Sequence, residues 1–262
     1  MQINKVYRQD AADFLRQRIG DSSVDLAIVD PPYNLKMADW DCFASHADFL
    51  EFTFNWLGLL LPKLKETGSL YVFNTPFNAA HILRFLSGRG MVFQNWIVWD
   101  KRDGMSASKR KYANGQEAVL FFTKSEKHVF NYDNIRIPYE SADRMKYAQK
   151  AGILKNGKRW YPNSKGKLCP EVWHFSSERH KRKINGKTQK MPHLTPKPLD
   201  MIMRMIKASS NEGDLVLDCF MGSGTTAVAS VKLKRNFTGC ENNQAYYRLC
   251  VKNITAAHSG ND

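Results

Sequence analysis

Apolar positions along the chain repeat with two periods. Short apolar runs at 3–7, 26–29, 69–73, 95–99, 117–123, 215–218 and 236–240 are rich in β-branched and aromatic residues. Runs of that kind read as strands, the innermost of them covered on both faces. Between them, residues 11–18, 45–65, 78–86, 199–208, 225–232 and 245–254 follow the helical period. In 45–65 the apolar positions are Phe49, Phe52, Trp56, Leu57, Leu60, Leu61 and Leu64. That stripe is most simply the face of a helix lying on a core. Strands and helices in alternation predict a parallel sheet with helices on both faces. Two stretches break the pattern. Residues 100–116 read as a polar loop, and 141–190 show no sustained period.

The strand at 26–29 stops abruptly at Asp30-Pro31-Pro32-Tyr33-Asn34. Two prolines lack N–H groups and fix their own φ, which forbids further pairing and an immediate helix. Asp30 is left at the carboxyl edge of the sheet, where open α/β folds bind ligands. A carboxylate, outward carbonyls and an aromatic ring in one turn suit a flat heterocycle bearing an amino group. The same tetrapeptide also fits an ordinary sheet-ending turn.

A second strand end, Asp218-Cys219-Phe220-Met221-Gly222-Ser223-Gly224-Thr225-Thr226-Ala227, opens through glycines into a helix. Backbone N–H groups approach a ligand closely at such a turn, and a helix start favours negative charge. Gly222, Gly224 and Ala227 also match a dinucleotide fingerprint, with Glu241 near the spacing of a ribose-binding acid. Only 38 residues follow Gly224, too few for the strand–helix units such a domain needs after its fingerprint. The other strands therefore come from the N-terminal half, and both turns share one sheet edge.

Composition narrows the partner. A hydrophobic content of 43% with 12% aromatic residues belongs to a globular chain. The formal charge is +14, and residues 141–190 hold fourteen Lys and Arg against three Asp and Glu. Charge concentrated in one segment, interleaved with Tyr147, Trp160, Tyr161 and Trp173, points to a polyanion. Five cysteines without C-x-x-C spacing argue against a disulfide framework and a zinc site, and suit a reducing cytoplasm. The first residues lack the apolar core of a signal peptide, and no apolar run is long enough to span a bilayer.

Three segments, Asp30-Pro31-Pro32-Tyr33, Thr195-Pro196-Lys197-Pro198 and Asp218 through Thr226, resemble by order and separation the permuted β group of amino-group DNA methyltransferases. The run from Asp30 to Asn34, with Phe73-Asn74-Thr75-Pro76-Phe77, is most similar to the MboII-type adenine methyltransferases that accompany a restriction enzyme. The resemblance covers essentially the whole chain. It implies an α/β fold with a permuted Rossmann-like sheet: a catalytic half at 1–124, a basic target-recognition insertion at 125–191 and a cofactor-binding half at 192–262. It implies methyl transfer from S-adenosyl-L-methionine to N6 of a flipped-out adenine in duplex DNA.

Residue by residue, the resemblance makes Asp30, Pro31, Pro32 and Tyr33 catalytic, with Asp30 also bordering the cofactor. Phe220, Gly222 and Gly224 would surround the cofactor's methionine part, Glu241 its ribose, and Asp10 with Ala11 its adenine. Thr195 and Lys197 would steady its carboxylate end, and Asp218, Ser223, Thr225 and Asn242 are further cofactor contacts. DNA contacts are expected from Lys101, Arg102, Lys109, Arg110, Lys111, Arg159, Arg179, Lys181, Arg182 and Lys183. Duplex DNA is the implied partner, a homodimer is left open, and a cognate restriction endonuclease is tied by function rather than by contact. No membrane and no metal are expected, and the implied setting is a bacterial or phage-type cytoplasm, at the nucleoid.

Other readings compete with this one. Cytosine N4 would use the same chemistry, although Asp rather than Ser at position 30 leans towards adenine. An NAD-dependent dehydrogenase explains the glycine loop but not the Asp30 turn or the basic segment. A non-catalytic nucleic-acid-binding protein explains the charge but not two ligand loops. An RNA or protein methyltransferase would share the cofactor loop.

Overall fold

The structure, a computed structural model, describes residues 2–105, 109–176, 181–184, 187–190 and 196–259. Of 103–105, 142, 144, 181–184 and 187–190 it describes the backbone alone. Along the chain run β1 (Lys5–Tyr7), α1 (Ala11–Arg18), β2 (Val24–Val29), α2 (His46–Leu60), β3 (Leu64–Asn74), α3 (Pro76–Ser87), β4 (Val92–Met105) and β5 (Asn114–Thr123). Then come α4 (Ala142–Ala151), β6 (Ile153–Lys155), β7 (Lys158–Trp160), β8 (Val172–His174), β9 (Lys181–Ile184) and β10 (Lys187–Lys190). The last part holds α5 (Leu199–Ser209), β11 (Leu215–Asp218), α6 (Thr225–Lys232), β12 (Asn236–Cys240) and α7 (Gln244–His258).

Eight strands form one sheet in the order β1-β12-β11-β2-β3-β5-β4-β8. Only β5 pairs antiparallel with its neighbours; the other pairings are parallel. The late strands β11 and β12 sit between β1 and β2, so the sheet is assembled from both parts of the chain, as expected. The two halves join where Val216 and Leu217 pair with Leu26 and Ala27. At the foot of that joint the Asp25 carboxylate accepts from the Leu215 N–H at 2.9 Å and pairs with Lys65 at 2.7 Å.

Burial on both faces explains the unbroken apolar run of β2. Ala27 and Val29 face a core with Phe14, Leu15, Trp56 and Leu57, carried by α1 and α2. Leu26 and Ile28 face the opposite core with Tyr71, Phe121, Met201, Ile202 and Ile206, the last three carried by α5. Side chains alternate across a strand, so a strand between two helical layers needs apolar residues at every position. Helix starts follow their local chemistry. The Asp10, Ser45, Thr75 and Asn243 side chains each accept from N–H groups of the turn they begin.

Two stretches differ from the reading of the sequence. The polar region 100–116 is strand at both its ends, because β4 runs on to Met105 and β5 begins at Asn114. Ladder pairing such as Asp100 with Gln116 is made by the backbone and tolerates polar side chains. The aperiodic segment holds α4, the β6–β7 hairpin and the β9–β10 hairpin, and it supplies β8 to the edge of the main sheet beside β4. Trp173 of β8 is buried there, and its indole donates to the Pro170 carbonyl at 2.7 Å. Through β8, the described part of this segment is paired to the main sheet. Among the described residues no helix is long and apolar enough to cross a membrane.

One position of β12, beside the end of β11, tolerates no side chain. A Cβ at Gly239, in β12, would collide with the backbone carbonyl of Asp218 and with the Met221 side chain. Gly239→Ala is expected to destabilise the fold by roughly 1–3 kcal/mol, the usual cost of overpacking. Urea unfolding of the variant beside the wild type measures it.

Candidate active site

The carboxyl ends of β1, β12, β11 and β2 open into a cleft of about 620 Å³. Both turns singled out in the sequence line it: Asp30, Pro31, Pro32 and Tyr33 on one side, Asp218, Phe220, Gly222, Ser223 and Thr225 on the other. Asp10, Ala11, Lys197, Glu241 and Asn242 complete that set. Gly224 stands behind the wall at φ 86°, where a Cβ would lie 2.7 Å from the Cys250 sulfur. Thr195 and Arg179 lie outside the described residues, and for Lys181, Arg182 and Lys183 only the strand is described.

Tyr33 is held at both ends of its backbone. Its N–H donates to the Asp41 carboxylate at 2.7 Å, and its carbonyl accepts from the Asn78 amide at 2.8 Å. Asp41 is 2% exposed and also receives the N–H groups of Asn34, Leu35 and Met37. The loop needs that anchor, since Asn34 and Lys36 both sit at φ 59°. Leu35, Met37 and Trp40 are left exposed at the rim of the cleft.

Charge is arranged around Asp30. The Tyr33 hydroxyl donates to Asp30 Oδ1 at 2.7 Å and lies 3.1 Å from Glu117 Oε2. Lys197 Nζ is 2.8 Å from Asp30 Oδ2 and 3.4 Å from Glu117 Oε2, with the faces of Tyr33, Phe73 and Trp99 around it. Lys101 pairs with Glu117 Oε1. Burial pushes the Asp30 carboxyl up, with the Lys197 ammonium opposing and Glu117 assisting. Burial alone would raise Glu117, but Lys197 and Lys101 together hold it below its ordinary value. Burial and the two carboxylates push the Tyr33 hydroxyl well up, so it stays a donor.

Lys197, expected at the carboxylate end of the cofactor, is therefore placed against Asp30. Lys101, expected on DNA, is part of the cleft. Glu117 and Asp41 are residues that sequence reading missed. Of the other expected DNA contacts, Arg102, Lys109, Arg110 and Lys111 are exposed where β4 turns into β5. Arg159 caps the Ala151 carbonyl at the end of α4 and so fastens the β6–β7 hairpin.

The cofactor half of the cleft is acidic. Asp10, Asp218 and Glu241 line it, while the lining cations, Lys101 and Lys197, lie at the other end on Glu117 and Asp30. The Gly222 N–H, which a phosphate would need, already donates to Glu241 Oε2 at 2.8 Å. A pyrophosphate would meet three carboxylates and a spent amide. A ligand with a sulfonium and an ammonium group fits the same charges. The residues present thus suit S-adenosyl-L-methionine and disfavour a nicotinamide dinucleotide.

Comparison with known proteins gives the family. Residues 24–252 match the family described as DNA methylase. The Type II methyltransferase M1.MboII of Moraxella bovis is 61% identical over 246 residues, which cover 94% of each chain. The crystal structure of the M1.HpyAVI–SAM complex superposes with a TM-score of 0.61 at 26% identity, covering 95% of this chain and 98% of that one. The PvuII DNA methyltransferase, cytosine-N4-specific, shares the fold at a TM-score of 0.68 and 15% identity, over 98% of this chain and 93% of that one.

Asp218 is an acid whose titration is displaced into the neutral range. Burial raises its carboxyl to about 7, against hydrogen bonds from the Phe220 N–H and the Thr226 hydroxyl. The folded state then holds a proton that the unfolded state has released above its own pKa near 3.8, so stability falls as pH rises towards 7. Asp218→Asn removes that dependence. Between pH 5 and 7 the wild type should lose stability relative to the variant by at most about 1.4 kcal/mol per pH unit, read from urea titrations at each pH.

Proposed function

The chain belongs to the DNA methylase family, and on that premise we propose that it methylates N6 of adenine within a short site in duplex DNA. The coarser statement stands by itself: this is a Type II DNA methyltransferase of a restriction-modification system, using S-adenosyl-L-methionine. The observation that carries the finer reading is the Asp30–Tyr33 turn. An acceptor-only carboxylate and an aromatic ring stand together in the cleft that the glycine loop also lines. In this family Asp rather than Ser at that position leans towards adenine.

The bound cofactor supplies an electrophilic methyl group on a sulfonium. Phe220, Gly222 and Ser223 would enclose its methionine part, Glu241 and Asn242 would meet the ribose, and Asp10 with Ala11 the adenine. The catalytic turn has to make a poor nucleophile attack. The N6 lone pair of adenine is conjugated into the ring. Hydrogen bonds from its two N–H groups to Asp30 and to the Pro31 carbonyl would draw the nitrogen towards tetrahedral geometry. Tyr33, fixed by Asp41 and Asn78, would hold the ring by stacking. Catalysis of this kind is positioning and electrostatics.

Such a base lies inside a duplex and must be extruded to reach the cleft. We assign the grip on the flanking DNA to the basic segment within 125–191 and to the β4–β5 turn. The β6–β7 hairpin exposes Leu154, Trp160 and Tyr161 beside Lys155 and Lys158. Lysines on phosphate give salt-dependent affinity, and side chains between them read base edges. Cytosine N4 remains the competing target, and nucleoside analysis separates the two.

Tritiated methyl transfer to unmethylated duplex DNA, followed by nucleoside analysis, tests the proposal. The wild type should yield N6-methyladenine, and Asp30→Ala should lose at least about 10²-fold in rate. N4-methylcytosine as product would overturn the adenine assignment and keep the enzyme class.

A further inference from the structure

Methyl transfer as derived above leaves Glu117 without a task. Its carboxylate is largely buried at the start of β5, the antiparallel strand, which brings its first residues to the same edge as the strand ends bearing Asp30 and Asp218. One oxygen takes Lys101, and the other lies 3.4 Å from Lys197, whose nearer partner is Asp30 at 2.8 Å. The Tyr33 hydroxyl bridges the same two acids at 2.7 and 3.1 Å. Lys197 is thus shared between two carboxylates. An ammonium has three donors and no lone pair, so it accepts no proton here and only divides itself between anions.

We propose that Glu117 is a positioning residue that takes over Lys197 when Asp30 accepts the proton released by methylation. The inference rests on the methyl-transfer reading. In the step, the amino nitrogen of the base bonds to the methyl carbon while the carbon–sulfur bond breaks and leaves its electron pair on sulfur. The nitrogen, now cationic, gives one proton to an Asp30 oxygen and regains its lone pair. Before the step, Asp30 and Glu117 carry two negative charges against two positive charges on Lys101 and Lys197. After it, Asp30 is neutral, the cluster is one unit positive, and the sulfonium charge is gone. The positive charge has only moved across the cleft.

That transfer is tolerable only if Lys197 keeps an anion. With Asp30 neutral and Glu117 absent, Lys197 would be a buried ammonium beside aromatic rings and a carboxylic acid, an expensive arrangement. The groups facing Asp30 are Lys197 from the segment before α5, Glu117 from β5, Tyr33 from its own turn and Asp218 from β11, with Lys101 of β4 acting through Glu117. Lys101 and Lys197 keep Glu117 ionised, while burial and Glu117 make Asp30 the better proton acceptor.

The test compares Glu117→Gln, which keeps shape and an acceptor, with Glu117→Asp, which keeps charge. Glu117→Gln should lower kcat by about 10²-fold, with KM for DNA and for the cofactor within about twofold. The acid limb of its kcat profile should move to lower pH, because an anion that raised Asp30 is gone while Lys197 stays. Glu117→Asp should recover most of the rate. A readout free of turnover is the NMR titration of the Asp30 carboxyl carbon in the ligand-free protein, which should also move to lower pH in Glu117→Gln. An unchanged kcat, a loss confined to KM for DNA, or an unmoved Asp30 titration overturns the inference. A wild type that transfers no methyl group to DNA brings down the functional reading itself, and shows this before any variant is compared.

Discussion

The parallel pairing of β2 with β11 is the constraint on which the rest of the structure depends. It joins residues 26 and 27 to 216 and 217, nearly two hundred positions apart in the chain. Both strands run the same way, so both end at the same edge, and the turns that follow them face one cleft. Asp30 and Asp218 are brought together by register alone. The flanking strands repeat the arrangement: β12 leads to Glu241, and β1 leads to Asp10. The glycine at 239 is the local cost of this closeness, because the end of β11 and the following turn press on β12 where a Cβ would lie.

Burying charge at that edge is unfavourable unless each ion is matched. The structure divides the problem in two. At the Asp30 end, two carboxylates meet two ammonium groups, and aromatic faces surround the shared lysine. At the Asp218 end, Asp218 and Glu241 are held by N–H and O–H donors rather than by an ammonium group, and burial pushes both carboxyls up. That half is left wanting a cation. The turn itself is made rigid by Asp41, whose buried carboxylate collects four backbone N–H groups as a bound anion would.

The parts legible in the sequence were those written in consecutive residues. Asp30-Pro31-Pro32-Tyr33 and the run from Asp218 to Thr226 announce themselves because prolines and glycines fix a backbone wherever they occur. The helices with apolar stripes and the strands covered on both faces were legible for the same reason. Glu117 was hidden because it is a single acid preceding an apolar run, and only the reversed direction of β5 brings it to the cleft. Asp41 could not be told from Asp39, two residues away with the same side chain and 3₁₀ turn. The extension of β4 and β5 rests on backbone pairing that leaves no trace in polarity, and β8 has only three residues to signal itself.

The distribution of charge over the whole molecule explains how one surface serves both a polyanion and a cationic cofactor. The chain carries +14, yet the cleft is lined by Asp10, Asp30, Asp41, Asp218, Glu117 and Glu241. The excess of Lys and Arg lies instead in the segment 141–190 and at the β4–β5 turn. In the proposed reaction, phosphates of a bound duplex would be drawn to the basic segment and repelled from the acidic cleft. An uncharged heterocycle swung out of the helix meets no such barrier. In the proposed reaction the field of the protein therefore sorts one nucleotide into two parts, with its phosphate outside and its base within. In that reading the Tyr33 turn would set how far the base enters, because Asp41 and Asn78 hold its backbone and Asp30 and Glu117 its hydroxyl.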